Sequence, residues 1–327
     1  IKFRGLSLAA KLRYGLFAFF SAKRSNWSSL DKKDAKDWIK KWVGDEAYSV
    51  MWKSLFDLKF YNYSSNLSAA WIWSRIKRIG TSRYSLLREK LGYIHGGSKT
   101  LLDALSSKII SLGGVINLRC PVSKVVLDKG RVVGLEIGSK IEYFDKVIST
   151  IPVPFISRLI PDLPKETLEM FSTINNIGVV CVIVKLKKSI SKNFWMNIND
   201  PSMDIPGLIE YSNLKPSDEK IVYVPFYLPG DHKKFSDSDE IFIKKVKQYI
   251  MKINSSIKEE DFIDVHASRY RFAQPICEPE FLSKIPDTNV GIDGLLIADT
   301  CYYYPSDRGI SESIDFGRDL ARKIKNA

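Results

Sequence analysis

The chain has 327 residues, 45% of them hydrophobic and 27% charged, which is ordinary for a globular protein with room for about two domains and a sizeable core. A net charge of +13 would suit nucleic acid, an anionic membrane or a phosphate-rich ligand, but the basic residues are spread along the whole chain. No RNP, zinc-finger or helix-turn-helix pattern accompanies them, so solvated surface is the better account and no nucleic-acid partner is expected.

Cys120, Cys181, Cys277 and Cys301 form no CxxC pair, and His95, His232 and His266 are equally scattered. That disfavours a zinc ribbon, a disulfide scaffold or any protein-bound metal, and suits a reducing, cytoplasmic compartment. The most apolar early run, 14–20, falls short of the roughly 20 residues a bilayer crossing needs. Peripheral contact with a membrane stays open, although burial in a core is the commoner fate of such a run. The chain begins with Ile1 rather than Met, which suggests a record that starts inside a longer protein.

In chain order, residues 1–88 read as helices. Ser28 or Ser29 caps a helix with Trp38, Ile39, Trp42 and Val43 inward, and Gly44 stops it. Ala47, Tyr48, Met51 and Leu55 mark the next helix, and Leu67, Trp71, Ile72 and Ile76 a third. Residues 89–155 change character. Gly96-Gly97 precede a helix with Leu101, Leu102, Leu105, Ile109 and Leu112 inward, closed by Gly113-Gly114. A strand over 115–118 follows, then a ribbon, 122–127 with 132–137, turning at Asp128-Lys129-Gly130, and a returning strand over 146–150. Residues 156–286 alternate strands at 177–186, 208–211, 221–228 and 265–272 with a covering helix around Phe242, Val246, Tyr249 and Ile250, which suggests a mixed sheet.

Residues 287–327 combine three signals. Leu295 to Ala298 reads as a buried strand ending on Asp299, a turn rich in Tyr, Pro, Ser, Asp and Gly follows, and a helix begins after Arg308-Gly309. Ile310, Ile314, Gly317, Leu320, Ala321 and Ile324 fall on one face of that helix. A carboxylate at a strand's C-terminal edge beside a helix N-terminus is where open α/β sheets bind ligands.

The stretch GYIHGGSKTLLDALSSKIISLGGVINLRCPVSKVVLDKGRVVGLEIGSKIEYFDKVISTIP resembles the middle FAD-domain segment of the flavin-containing amine oxidase and protoporphyrinogen oxidase superfamily. The closing stretch, with Tyr304 to Gly309 as YPSDRG, is similar to its C-terminal flavin motif, and 269–275, RYRFAQP, to its substrate-domain strand and Ala-x-Pro turn. The resemblance implies an α/β fold: a partial Rossmann-like FAD-binding domain (89–155 and 287–327), an inserted mixed-sheet substrate domain (156–286) and an N-terminal helical lobe of that domain (1–88).

It also implies roles. Val122 would bind the adenine through its backbone, and Asp299 the ribityl or pyrophosphate region. The N–H groups of Ile310 and Ser311, beyond Gly309, would face the flavin N1 and O2 edge, with Arg308 adding positive charge unless it pairs with Asp307. Tyr304 would stand at the flavin face. Arg269 and Arg271 alternate with Tyr270 and Phe272 on a strand, so only one pair faces the cavity, and the arginines there would imply an acidic substrate. The substrate is a small molecule of aromatic, apolar or acidic character. The implied activity is FAD-dependent oxidation by hydride transfer to flavin N5, with two alternatives: a non-redox flavin enzyme resembling UDP-galactopyranose mutases, or a cofactor-free binding remnant.

One departure stands out. The family opens with a βαβ unit carrying GxGxxG, and this sequence has no GxGxxG. Either the record is incomplete at its N-terminus or tight FAD binding is lost, and the 327 residues alone are expected to hold little flavin.

Overall fold

A computed structural model describes residues 5–85, 88, 89 and 92–326; Ile1 lies outside them. Helix α1 (Leu8–Lys23) starts where the Ser7 hydroxyl accepts the Ala10 N–H at 3.2 Å. After the single turn α2 (Ser28–Asp31) comes α3 (Ala35–Tyr48), kinked at Gly44, whose φ of 82° only glycine adopts easily. The chain continues through α4 (Ser54–Phe60) and α5 (Ala69–Thr81) to the small pair β1 (Arg83–Ser85) and β2 (Arg88–Glu89). Next come α6 (Ser98–Ser111), the ribbon β3 (Val122–Asp128), β4 (Arg131–Ile137) and β5 (Lys140–Tyr143), then β6 (Val147–Ser149), α7 (Ile156–Leu159) and α8 (Lys165–Ser172). Strands β7 (Asn176–Leu186), β8 (Trp195–Asn197), β9 (Gly207–Glu210) and β10 (Lys220–Pro229) precede α9 (Asp239–Ile253) and β11 (Phe262–Pro275). Strand β12 (Leu295–Ile297) and α10 (Ile310–Asn326) close the chain.

These elements form two units. The first comprises Ile1–Glu89, Ile174–Ile285 and Thr300–Glu312; the second comprises Lys90–Thr173, Pro286–Asp299 and Ser313–Ala327. The boundary drawn from sequence at 156 thus falls at Ile174, and the turn after Asp299 groups with the first unit.

The first unit is built on a sheet in the order β11-β7-β10-β9-β8, antiparallel at every pairing rather than mixed. Alternation along β7 sends Val180, Val182 and Val184 to one face, where Phe242, Val246 and Ile250 of α9 cover them. The helices pack through aromatic pairs, Phe17 edge-on to Trp38 at 5.0 Å and Phe60 tilted against Trp71 at 5.7 Å. The cap of α3 is Asp34 rather than Ser28 or Ser29: its carboxylate accepts the N–H groups of Asp37 and Leu67, so one side chain fixes the starts of both α3 and α5.

In the second unit the β3-β4 hairpin turns on Lys129 and Gly130, both at positive φ, the geometry that matches strand twist. Strands β6 and β12 pair in parallel, Leu296 opposite Ile148. Gly294 precedes β12 at φ 75°, and a Cβ there would overlap the Asp145 carbonyl oxygen. Helix α10 lays Phe316, Leu320 and Ile324 on Leu296 and Ala298. Of the expected face only Leu320 and Ile324 pack there; Ile310 and Ile314 are exposed, because a two-stranded surface is too narrow to cover the whole stripe.

Two further expectations fail. Helix α6 forms, but Leu102, Leu105, Ile109 and Leu112 are exposed, and α6 buries no side chain. Residues 115–118 form no strand, with Val115 and Leu118 about 79% and 82% exposed. The shared reason is that a strand exists through its ladder partners and an apolar helix face is buried only by something laid on it. Among the described residues, neither segment meets such a partner.

Candidate functional site

In the second unit, the C-terminal edges of β6 and β12 carry a small polar group. The Ala298 N–H donates to the Ser149 carbonyl at 2.9 Å, and Oδ2 of Asp299 accepts the Val153 N–H at 2.9 Å. The Ser149 hydroxyl is buried without a hydrogen-bond partner. Buried hydroxyls are almost always satisfied, so an unanswered one beside an anchored carboxylate fits a hydroxyl-bearing ligand such as a ribityl chain. Val122 opens β3 opposite Ile137, half-buried.

In the first unit, the turn 300–309 is held by two side chains. Tyr304 is buried in the core, edge-on to Trp27 and tilted against Phe281. Its hydroxyl shares a 2.5 Å hydrogen bond with Ser68 and donates to Asp31. Burial, and then the Asp31 hydrogen bond, push its pKa far above the ordinary tyrosine value. The structure therefore places Tyr304 in a fixing role. Tyr304→Phe, which removes the donor to Asp31 and leaves the Ser68 hydroxyl with only the Ala70 N–H, is expected to cost about 1.5 kcal/mol in urea unfolding.

The second anchor is Asp307, which takes a two-pronged contact from Arg75 at 2.9 and 3.0 Å, with Arg78 at 3.5 Å. The Arg75 guanidinium lies 4.0 Å from the Trp71 ring centroid, one helical turn back along α5. Although burial works against the Asp307 charge, Arg75, with Lys59 and Arg308, outweighs it and holds the carboxyl well below the usual range. Arg308 does not pair with Asp307 through its side chain; its backbone N–H donates there instead, and the residue is exposed. Gly309 gives room to the Glu312 carboxylate, which occupies the space a Cβ would fill at the start of α10, where Ile310 and Ser311 are exposed.

Lys59 completes the cluster. Its ammonium lies 5.0 Å from the Tyr227 ring centroid and 5.6 Å from that of Phe60. Burial of the ammonium, and then repulsion from Arg75, pull its pKa down to about 7, although the side chain as a whole keeps some surface. Trp71, Gln274, Ser306, Asp307 and Arg308 line a narrow crevice. Two buried donors of this unit, Gln274 Nε2 and Arg75 Nη1, have no acceptor.

Arg269 and Arg271 are engaged elsewhere in the first unit. Arg269 pairs with Asp239 and donates to the Asp237 carbonyl, while Arg271 donates to the Gly230 carbonyl at 2.5 Å and lies over Phe235. Sequence reasoning missed Arg75, Lys59 and Gln274. Arg75 had a signal in its four-residue spacing from Trp71; Lys59 had none, since its neighbours come from remote segments.

The sequence pattern of flavin containing amine oxidoreductases matches residues 2–275. Among solved structures, a putative protoporphyrinogen oxidase from Exiguobacterium sp. 255-15 is similar over 98% of this chain and 73% of its own, at 16% identity and TM-score 0.70. Wild-type putrescine oxidase bound to putrescine is similar over 100% of this chain and 77% of its own, at 14% identity and TM-score 0.69. A reduced UDP-galactopyranose mutase is similar over 88% and 68%, at 13% identity and TM-score 0.57. No curated protein matches the chain in sequence. At these identities the likeness is one of fold, but the family pattern spans most of the chain: it belongs to the flavin-containing amine oxidoreductase family.

Proposed function

We propose that the protein is an FAD-dependent oxidoreductase that takes hydride from an organic substrate, and that an acidic substrate suits it better than an aromatic or apolar one. The observation carrying this is the charge imbalance around Asp307: the largely buried Arg75 and Lys59, with the more exposed Arg78 and Arg308, surround one carboxylate, and two buried donors, Arg75 Nη1 and Gln274 Nε2, are unanswered among the described residues. Buried cations in excess are costly unless an anion offsets them. FAD, the cofactor of the family, supplies the hydride acceptor when bound.

In this proposal the Val122 backbone holds the adenine, and Asp299 with Ser149 the ribityl hydroxyls. The N–H groups of Ile310 and Ser311 at the start of α10 offer a positive helix end to the N1 and O2 edge, with Arg308 reinforcing it. Arg75 and Asp307 fix the turn that carries these groups. Tyr304 fixes the same turn from the core side, and Arg269 and Arg271 stay outside the substrate's reach.

The test is anaerobic mixing of the protein, loaded with FAD, with acidic and uncharged amines of equal size. Bleaching of the flavin's visible absorbance is expected with the acidic compounds; bleaching by the uncharged ones alone would overturn the substrate class. The likeness to a UDP-galactopyranose mutase supports a second reading, in which the same cations receive a sugar nucleotide. Turnover appearing only after dithionite reduction would favour it.

A further inference from the structure

Helix α1 presents an apolar stripe to solvent. Leu8, Leu12, Leu16, Phe19 and Phe20 recur at helical spacing and leave between 50% and 66% of their surface open, while Ala10, Phe17 and Ser21 on the opposite side are buried. The stripe continues onto α5: Gly80 packs so closely on Ala22 that a Cβ there would sit 2.8 Å away, and Ile79 beside it is 52% exposed. Singly exposed leucines need no explanation, but six large apolar side chains gathered along one helix and its neighbour do.

Charge says what covers them. Residues 8–24 contain Lys11, Arg13, Lys23 and Arg24 and no acidic residue. None of the four is within ion-pair distance of a carboxylate among the described residues. Arg13 donates to the backbone carbonyls of Lys41 and Trp42, and Arg24 to Asn26 O and Ser29 Oγ, so both keep their charge. Glu46, whose charge Lys11 helps to hold, is tied to the Ser7 N–H and hydroxyl at the helix start, and Asp34 and Asp37 share a hollow with Arg24 without pairing with it. Leucines and phenylalanines on one side with flanking cations is the composition of a helix lying in a lipid interface. No described helix is long and apolar enough to cross a membrane, which leaves contact from one side.

We infer that α1 is a docking helix for an anionic membrane surface, with Leu8, Leu12, Leu16, Phe19 and Phe20 entering the headgroup boundary and the four cations meeting lipid phosphates. The stripe supplies the apolar burial and the cations add attraction that salt screens. This stands apart from the redox reading, since it needs neither flavin nor substrate.

The test is co-sedimentation of the purified chain with vesicles of phosphatidylcholine alone and of phosphatidylcholine with phosphatidylglycerol. Binding at least tenfold tighter to the anionic vesicles is expected, weakening with added salt. Leu12→Glu with Leu16→Glu should lower that affinity at least tenfold while leaving circular dichroism and thermal unfolding unchanged, because both side chains are exposed. Lys11→Gln with Lys23→Gln should abolish the preference for anionic vesicles. Equal binding by parent and Leu→Glu variant, or absence of binding to either vesicle, overturns the inference. So does a dimer in sedimentation velocity that the Leu→Glu pair dissociates, since a second copy would then be the cover.

Discussion

Asp307→Asn is expected to cost about 3–5 kcal/mol of unfolding free energy in urea denaturation, the usual result of removing one partner from a largely buried ion pair. The side chains of Arg75 and Asp307 are only 15% and 18% exposed, and Arg75 commits Nε and Nη2 to the two carboxylate oxygens. The amide keeps the shape and removes the charge, leaving the guanidinium over Trp71 with no counter-ion, beside Lys59 and Arg308. If the loss comes from the orphaned charge, Arg75→Met combined with Asp307→Leu should be far less destabilising than Asp307→Asn alone. A double variant as damaged as the single one would show that the geometry of the pair, rather than its charge, holds the turn.

The pH dependence follows with its sign. The Asp307 carboxyl is held below its unfolded value of about 3.9, so its contribution is fully present above that pH and is lost as pH falls toward the folded value. The parent should lose more stability below about pH 4 than Asp307→Asn does, the fall that remains in the variant coming from other depressed carboxylates such as Asp204.

How much of this was legible in the sequence depends on how local each feature is. The β3-β4 hairpin, α9 and the strand of Leu295 to Ile297 were readable because period and turn chemistry lie within a few residues. Residues 115–118 have strand composition and form no strand, because pairing is a property of the neighbour and not of the segment. The cap of α3 was misplaced by several residues: Ser28 and Ser29 open the separate turn α2, while Asp34, whose carboxylate accepts the Asp37 and Leu67 N–H groups, caps α3.

The candidate site divides the same way. The turn 304–309 was found because it is contiguous, but what Tyr304 does there was not, since its partners Asp31 and Ser68 are more than two hundred residues away. Arg269 and Arg271 were correctly seen to share one side of a strand, yet which side faced a cavity was not in the pattern. Asp237, Asp239 and Gly230, remote in sequence, occupy both guanidiniums. The cations that gather around Asp307 come from α4, α5 and the turn before α10, an arrangement composition cannot show.

Lys59 gives the second large effect. Burial, and then Arg75, lower its pKa to about 7, while the unfolded chain titrates near the ordinary lysine value of about 10.4. Between those values the unfolded state binds more protons, so stability rises with pH from about 7 to about 10 and the lysine penalises the fold at neutral pH and below. Lys59→Met, which keeps the stem against Tyr227 and Phe60, is therefore expected to gain about 2–3 kcal/mol at pH 6 and almost nothing at pH 10.5; this is less than the full shift would give, because the side chain still reaches solvent. The parent's rise in stability with alkaline pH should disappear in the variant. If the anion expected here is a substrate's, an acidic substrate analogue should restore the ammonium's charge and move the parent's stability rise to higher pH. The same analogue should leave the profile of Lys59→Met unchanged, and a parent profile indifferent to it would remove the charge argument for an acidic substrate.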